Sequence, residues 1–335
     1  MTITADQVTA YLGTKMPDAR DLEVTGLERK SGGASRETWG FAAHWTQDGR
    51  ACGGEFILRR DPTGGLLESD RAREFTVLQA LHGSGIPVPR TYWLELEGSP
   101  LQRPFFIMER ITGSAPVGTF PPGYPPSVQD HVTQQFVDIL ARIHRFDWRA
   151  HGFEFLGVPA VGTDAARTQL HHWRRIYQQE SLEPHPILEE AFLWLAAHVP
   201  TCDRITLVHG DYRSGNYLFT EDGTITAMLD WEMVHLGDPM EDLGWACMKF
   251  WTGRGFVVGL TTREDLVARY HAASGIAVDD RRVRFYEILG TVKMAVIALT
   301  GVRAYCEGKT HEASMPLVSF LVPRLLRDLV EQLEL

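Results

Sequence analysis

The chain has 335 residues, of which 44% are hydrophobic, so it is long enough to bury one large core or two unequal lobes. Its 43 acidic residues outnumber the 33 basic ones, and the formal net charge of −10 argues against a nucleic-acid partner, which needs a basic surface. The four cysteines stand singly, and we find neither a signal peptide nor a run of about 18 apolar residues. We therefore predict a cytoplasmic protein that contacts no membrane.

The first third of the chain predicts a helix followed by an antiparallel meander. Thr4 and Gln7 have the spacing of a capping box, which would start a helix running to about residue 16. Strands are predicted at 22–29, 37–45 and 51–60. Asp48 and Gly49 separate the last two strands and form a hairpin signal.

A turn of small residues, SGGAS, lies between the first two strands. Its backbone N–H groups could cover phosphates, as successive amides do in many anion sites. The candidate nucleotide-binding residues of this turn are Ser31, Gly32, Gly33 and Ser35. A Gly-Gly hairpin is more often a plain turn, so the interpretation depends on the rest of the chain.

After the meander the pattern changes from strands to helices. A helix is predicted at 69–82, and two more strands are predicted at 92–96 and 105–111. The segment 113–126 contains five prolines and three glycines, so it cannot form a regular element. Ser127 is predicted to cap a core helix, on which His144 has a structural role. Further helices are predicted at 263–273, 281–302 and 316–333.

The most specific pattern is LVHGDYRSGNYLFTEDGTITAMLDWEMVHLGDPMEDLGW, at 207–245. It places Asp211, Asn216 and Asp230 at separations of five and fourteen residues. Transfer of a phosphoryl group from ATP needs a carboxylate that orients the attacking hydroxyl, and oxygen ligands that hold magnesium. A tight loop at 210–216 and a returning strand would bring Asp230 beside Asn216. The pattern therefore predicts a phosphoryl-transfer site.

The motifs HGDYRSGN, LDWE and GDPMEDLGW resemble those of the aminoglycoside phosphotransferase and choline kinase superfamily. The resemblance covers nearly the whole chain and implies an α+β, two-lobed, protein-kinase-like fold. It implies a small antiparallel-sheet lobe at 1–112 that clamps the nucleotide. A larger, mainly helical lobe at 113–335 would carry the catalytic loop, the metal site and the substrate-binding region.

The same resemblance assigns the residues of the catalytic loop. Asp211 would be the catalytic base, while Asn216 and Asp230 would bind Mg²⁺, with ATP as the co-substrate. Asp242 would be a buried carboxylate that braces the loop. His209 would hold the loop by packing and hydrogen bonding, without acting as an acid or base.

On the nucleotide side, the resemblance requires a cation from the third strand, paired with a glutamate from the following helix. The stretch 31–248 contains no lysine, so the cation must be an arginine. Aligning FILR with the kinase strand selects Arg59, with Arg60 as the fallback and Glu74 as the partner. The connector between the lobes, whose backbone would bond the adenine edge, is Met108, Glu109 and Arg110.

The acceptor is the least determined part of the prediction. The motifs resemble most the branch that also occurs joined to acyl-CoA dehydrogenases, which suggests a hydroxyacyl compound; an aminoglycoside or a choline-like amine is the alternative. Tyr212 and Arg213 either reach phosphate or substrate or simply pack. The alternative to an enzyme is a nucleotide-binding module that catalyses no reaction. The sequence does not predict an oligomeric state.

Overall fold

The computed structural model describes residues 3–30, 37–61, 70–252, 255–310 and 314–335. Its fold is the predicted two-lobed α+β architecture, and the smaller lobe contains a five-stranded antiparallel sheet in the order β1-β2-β3-β5-β4. The strands are β1 Arg20–Arg29, β2 Glu37–Gln47, β3 Arg50–Arg60, β4 Thr91–Glu95 and β5 Phe105–Glu109. Helix α1 spans Ala5–Lys15, and α2 spans Arg71–Leu81 between β3 and β4.

Local sequence signals account for the way this lobe begins. The Thr4 hydroxyl accepts from the Gln7 N–H and the Gln7 side chain accepts from the Thr4 N–H, so the predicted capping box is confirmed. In the β2–β3 hairpin Asp48 and Gly49 have φ values of 51° and 73°. A two-residue hairpin turn of type I′ needs positive φ at both of its central residues.

Helix α2 connects the two lobes. It packs against β4 and β5 of the sheet, while its buried residues Val77, Leu78 and Leu81 belong to the large core that the second lobe shares. The rest of the sheet lobe has a separate, smaller core around residues such as Phe41 and Leu58. A side chain on α2 can therefore be held in a fixed position relative to the second lobe.

The second lobe is mainly helical and contains two short antiparallel strand pairs, β6 with β9 and β7 with β8. These strands are β6 Thr206–Val208, β7 Tyr217–Phe219, β8 Ile225–Met228 and β9 His235–Gly237. The helices are α3 Pro126–Arg145, α4 Asp164–Glu180, α5 Pro186–Ala197, α6 Met240–Cys247, α7 Arg263–Ser274, α8 Asp280–Cys306, α9 Ser314–Leu317 and α10 Leu321–Leu333.

The start of α3 differs from the prediction. Pro125 stands at the N-cap and Pro126 at the first helical position, and no side chain caps the helix, so the assignment of Ser127 as the cap was wrong. Proline suits the first helical position because its fixed φ is helical and its missing N–H would have no partner there. Helix α5, which lies between the α4 segment and the catalytic motif, was not predicted at all.

Helix α8 corrects the expectation that no segment is long and apolar enough to cross a membrane. An 18-residue window of this 27-residue helix has a mean hydropathy of 1.5, which passes by length and composition, yet 72% of that window is buried inside the fold. Helices α4, α6 and α10 pack against α8. A helix that is surrounded by other helices is apolar on all of its faces, so the composition of α8 is that of a core helix.

Two glycines allow α6 and α8 to approach closely. A Cβ on Gly244 would lie 2.5 Å from the Cβ of Tyr286, and a Cβ on Gly290 would lie 2.6 Å from the sulfur of Met248. At Gly244 a larger residue would push the helices apart, because its Cβ would also meet backbone atoms of α8 at 2.8 and 2.9 Å. The contact thus fixes α6, which carries Asp242 and Trp245, against α8.

Candidate active site

The loop between β6 and β7 is fixed from below by Asp242 on α6. Its fully buried carboxylate accepts the N–H of His209 at 2.8 Å and the N–H of Gly210 at 2.9 Å. His144 on α3 contacts it through Nε2 at 3.1 Å, and the other ring nitrogen of His144 contacts the Tyr270 hydroxyl. Burial alone would raise the pKa of Asp242, but hydrogen bonding and attraction from His144 lower it below its ordinary value. The carboxylate is thus an ionised brace for the loop.

Asp211 lies in the middle of this loop and both of its carboxylate oxygens accept hydrogen bonds. Oδ1 accepts from the Trp245 indole at 2.7 Å and from Arg213 Nε at 2.9 Å, and Oδ2 accepts from Asn216 Nδ2 at 2.6 Å. A carboxylate offers about four lone-pair positions, so these three donors leave room for one more. A hydroxyl group approaching Asp211 would find a fixed acceptor.

His209 has a structural position. Its Nδ1 accepts the N–H of Asp211 at 3.2 Å, so its Nε2 carries the proton and donates to the carbonyl of Leu229 at 3.0 Å. The residue is fully buried, and burial lowers the pKa of the imidazole from its ordinary value. His209 is therefore neutral and links the β6–β7 loop to Leu229, the residue before Asp230.

The β7–β8 hairpin brings Asp230 beside Asn216. The N–H of Leu229 donates to the backbone carbonyl of Asn216 at 2.7 Å, which closes the hairpin at its open end. Asp230 then adopts a left-handed conformation with φ 64° and ψ 59°, which is strained for most residues and tolerated best by Asn and Asp. The amide nitrogen of Asn216 is held by Asp211, and among the described residues no donor contacts its Oδ1.

Arg59 at the end of β3 reaches this group from the first lobe. Its Nη1 contacts Glu74 Oε1 of α2 at 2.5 Å, and its Nη2 donates to Asp230 Oδ1 at 3.0 Å. Burial would raise the pKa of Asp230, but Arg59 holds it below its ordinary value. Arg60 points to the other face of the sheet, where it binds Glu37 at 2.6 Å. The structure therefore brings Arg59 and Glu74, and not the fallback residue, to the site.

The connector between the lobes fits the prediction only in part. Met108 and Glu109 still belong to β5, and the N–H groups of Glu109 and Arg110 donate to the carbonyls of Arg90 and Glu55. These two amides are already engaged and cannot also donate to an adenine edge. The next amide along the chain, that of Ile111, has no acceptor among the described residues.

Other predicted residues lie elsewhere. Tyr212 is fully buried and donates to the Phe136 carbonyl at 2.6 Å, so it packs and does not reach a ligand. The guanidinium of Arg213 binds Asp211 and lies 4.6 Å from the centroid of the Trp251 ring. The predicted phosphate-covering residues Ser31, Gly32, Gly33 and Ser35 lie outside the described residues.

Two residues at the site were missed by the sequence reasoning. Trp245 is the last residue of the motif, but nothing in the motif indicates that its indole bonds Asp211. Lys293 on α8 donates through Nζ to the carbonyl of Gly210 at 2.5 Å. No spacing rule connects a lysine in a late helix with the catalytic loop, so only the packing of α8 against α6 reveals it.

The residues present fit a magnesium ion in their donor chemistry. Magnesium prefers oxygen ligands and completes its shell with waters and substrate phosphates. Asn216 Oδ1 and Asp230 Oδ2 are two oxygens that face no donor among the described residues. Over the same residues, no group of three or more His, Cys, Asp or Glu could hold a metal by itself. The ion would therefore depend on the nucleotide for much of its coordination.

Comparison with known proteins shows the family of the chain. A sequence model described as "Phosphotransferase enzyme family" matches residues 31–286, well over half of the chain. The chain belongs to this phosphotransferase family. Membership supports a small-molecule phosphotransferase, while the roles of individual residues stay predictions.

A curated relative carries the same region as part of a larger protein. Acyl-CoA dehydrogenase family member 10 of Mus musculus is 31% identical over 275 residues, which cover 78% of this chain and 25% of that protein. The chain thus spans about a quarter of the length of this relative. The resemblance to the branch joined to acyl-CoA dehydrogenases is confirmed.

Solved structures of the family share the fold. A putative aminoglycoside phosphotransferase from Ralstonia eutropha superposes with a TM-score of 0.74 at 23% identity, covering 99% of this chain and 98% of the other. A thermostable mutant of aminoglycoside phosphotransferase APH(4)-Ia, in a ternary complex with ADP and hygromycin B, gives a TM-score of 0.58 at 15% identity, covering 96% of this chain and 98% of the other.

Proposed function

We propose that the protein transfers the γ-phosphoryl group of ATP to a hydroxyl group of a small molecule, in a reaction that depends on Mg²⁺. The observation that carries the proposal is the meeting of Asp211, Asn216, Asp230 and Arg59 from two lobes in one group of contacts. Phosphoryl transfer requires positioning and charge stabilisation more than covalent chemistry, and these four residues supply both.

Asp211 acts as the base in this proposal. Its carboxylate accepts the proton of the acceptor hydroxyl as the hydroxyl oxygen attacks the γ-phosphorus and the bond to ADP breaks. Trp245, Arg213 and Asn216 hold the carboxylate in place, which fixes the direction from which the hydroxyl approaches. Because the donors occupy three positions on the carboxylate, the acceptor hydroxyl takes the remaining one.

Asn216 and Asp230 hold the magnesium ion, and Arg59 binds phosphate oxygens while Glu74 orients it. When bound, the ion neutralises the charge that develops on the transferred phosphoryl group. Arg59 can serve because its planar fork holds Glu74 with Nη1, while Nη2, which contacts Asp230 in this structure, can exchange that carboxylate for phosphate oxygens. In this proposal the nucleotide-clamping lobe is 1–112. The catalytic lobe is 113–335.

For the acceptor we propose a hydroxyacyl compound, with aminoglycosides and choline-like amines as competing classes. The relative named as an acyl-CoA dehydrogenase supports the first class, because a kinase joined to such an enzyme would supply or consume acyl compounds. A cytoplasmic location belongs to the same proposal.

The test is ATP consumption over a panel of aminoglycosides, choline-like amines and hydroxyacyl-CoA esters, with the parent and with Asp211→Ala. We expect transfer to one class in the parent and a loss of about 10²–10⁴-fold in the variant, the range for a general base. ATP affinity should stay near that of the parent, whereas Asp230→Ala should remove the magnesium-dependent part of ATP binding. Equal turnover in parent and Asp211→Ala would reject Asp211 as the base.

The panel also tests the hypothesis from the other class. A nucleotide-binding module without turnover would bind ATP but consume none with any acceptor, in the parent as in the variants. The same panel is run with GTP, because an enzyme that uses GTP would consume it, whereas a site without catalytic activity would consume neither nucleotide.

A further inference from the structure

Lys293 is a buried lysine for which the proposed reaction has no use. Its side chain lies in the middle of α8, the residue is 3% exposed, and its ammonium group faces the catalytic loop. Burying a lysine is costly unless its charge is matched by specific partners. Its partners therefore show what the lysine does.

The first partner is the peptide group that carries Asp211. Lys293 Nζ donates at 2.5 Å to the carbonyl oxygen of Gly210, which belongs to the peptide bond between Gly210 and Asp211. The N–H of that same peptide bond donates to His209 Nδ1 at 3.2 Å. The peptide plane immediately before the proposed base is thus fixed at both of its polar atoms.

The second partner is the indole that binds the carboxylate of Asp211. Lys293 Nζ lies 4.4 Å from the centroid of the Trp245 ring, within the range of a cation–π contact. The Nε1–H of Trp245 donates to Asp211 Oδ1 at 2.7 Å. One ammonium group therefore contacts both the backbone of Asp211 and the ring that orients its side chain.

Charged groups from several elements face Lys293. On α6, Glu241 lies 3.9 Å away and Asp242 also attracts the ammonium, as does Asp211 in the loop. His172 on α4 and His235 on β9 also lie near the ammonium, which disfavours a positive charge on either imidazole. The pKa of His172 is lowered, mainly by burial, whereas the pKa of His235 is raised because Glu241 outweighs burial. Burial lowers the pKa of Lys293, and the three carboxylates partly offset this by attracting the charged form. The lysine is held by a network and not by a single ion pair.

We propose that Lys293 is a positioning residue for the proposed base. It sets the orientation of Asp211 through the carbonyl of Gly210 and through the ring of Trp245. The inference rests on the proposed function for its effect on catalysis, but the structural relation between the three residues can be measured without any turnover.

The test compares Lys293→Met, which removes the charge and the donor, with Lys293→Gln, which restores a donor. We expect Lys293→Met to lower kcat by roughly 10²-fold, the cost of displacing a reacting group by about 1 Å, with little change in the KM for ATP. Lys293→Gln should recover part of the lost kcat. Lys309→Met is the matched control, since Lys309 is exposed and pairs with Glu307 beyond the end of α8, and it should behave as the parent.

A second readout does not depend on activity. The Trp245 indole N–H, identified in NMR spectra by its loss in Trp245→Phe, should exchange with solvent more slowly in the parent than in Lys293→Met. Trp245→Phe keeps a ring against Lys293 but removes the donor to Asp211, so it should lower kcat even if Lys293→Met does not fold.

The outcomes separate the two proposals. A parent that transfers no phosphoryl group refutes the proposed function, while the indole exchange still decides the inference. A folded Lys293→Met whose kcat and Trp245 exchange match the parent would overturn the positioning role. If Lys293 had only a structural role, Lys293→Met would lower the thermal midpoint of unfolding. It would leave kcat and the exchange rate of the Trp245 indole N–H of the folded protein unchanged.

Discussion

The loop that carries Asp211 is fixed by backbone groups bonded to buried side chains, whereas Arg59, on the proposed nucleotide side, is fixed by ion pairs. In the loop, Asp242 accepts two backbone N–H groups and Lys293 donates to a backbone carbonyl. On the other side, Arg59 joins Glu74 of α2 to Asp230 through charged side chains alone.

The proposed reaction accounts for the difference, because it gives the two sides different tasks. A loop that presents the base gains from rigidity, because small displacements of a reacting group are costly. A phosphate-binding arginine must be able to exchange a carboxylate partner for phosphate oxygens. We therefore expect variants of the loop to affect kcat and variants of the ion pairs to affect the KM for ATP.

The largest expected effect comes from Asp242→Ala. Removing this carboxylate leaves the N–H groups of His209 and Gly210 buried without an acceptor, at about 1–3 kcal/mol each. We expect a strongly lowered free energy of unfolding in denaturant titrations and a kcat reduced by about 10²-fold or more. Asp242→Asn keeps one acceptor oxygen, so its free energy of unfolding and its kcat should lie between those of the parent and those of Asp242→Ala. An Asp242→Ala protein with the stability and kcat of the parent would refute the bracing role.

A smaller effect on kcat is expected for Gly210→Ala, which changes the same loop. A Cβ at this position would lie 2.5 Å from the carbonyl oxygen of Met233, and φ is +82°, so the loop must shift. We expect kcat to fall while ATP binding persists. Gly275→Ala is the matched control: φ there is +70° but nothing lies within 4 Å, so it carries the backbone strain without the clash. Equal kcat values for the two variants would mean that loop displacement does not matter.

The nucleotide side is tested by Arg59→Met. A hydrogen bond to a charged group contributes about 1.5–3 kcal/mol, so we expect the KM for ATP to rise by about tenfold or more. Arg59→Lys should be intermediate, because lysine keeps the charge but loses the fork. Arg60→Met removes an arginine from the opposite face and should lower stability without changing the KM for ATP. Equal KM values for Arg59→Met and Arg60→Met would contradict the assignment.

The smallest effect concerns the pH dependence of stability. Burial lowers the pKa of His235, but Glu241, which binds Nε2 at 3.0 Å, raises it above its ordinary value. A raised folded-state pKa stabilises the protein below about pH 6.5 and loses this contribution as pH rises through the folded value. The free energy of unfolding should therefore favour the parent over His235→Gln more at about pH 5.5 than at about pH 8.5.

His131→Gln is the control for this prediction, because His131 is exposed. If His235→Gln and His131→Gln differ from the parent by the same amount at both pH values, the ion pair with Glu241 does not contribute.

Much of the site could be predicted because its residues are close in sequence. Asn216 and Asp230 stand at the open end of the β7–β8 hairpin, and Asp211 lies in the short loop that leads into it, so the local sequence predicts that the three residues meet. The β2–β3 hairpin was predictable for the same reason, since Asp48 and Gly49 fix the turn locally. Alignment of FILR with the kinase strand selected Arg59 over Arg60, and the two arginines do bind different carboxylates on opposite faces of the strand.

The residues that could not be predicted reach the site through tertiary packing. Trp245 bonds Asp211 because α6 lies beneath the loop, and Lys293 reaches Gly210 because α8 crosses α6 at Gly244. Tyr212 stands in the motif between two site residues, yet its side chain turns into the core. Sequence distance indicates neither kind of contact, because both depend on how helices from distant parts of the chain pack.

The apolar character of α8 has a consequence for how the chain is made. During synthesis α8 leaves the ribosome before α10, which later packs against it, so for a time a segment with membrane-like hydropathy has no cover from that helix. A nascent chain that pauses before α10 is made would expose this apolar helix to chaperones or to a lipid surface. Truncation before residue 321 should therefore yield protein that aggregates or sediments with membranes, even though the loop that carries the proposed chemistry is intact.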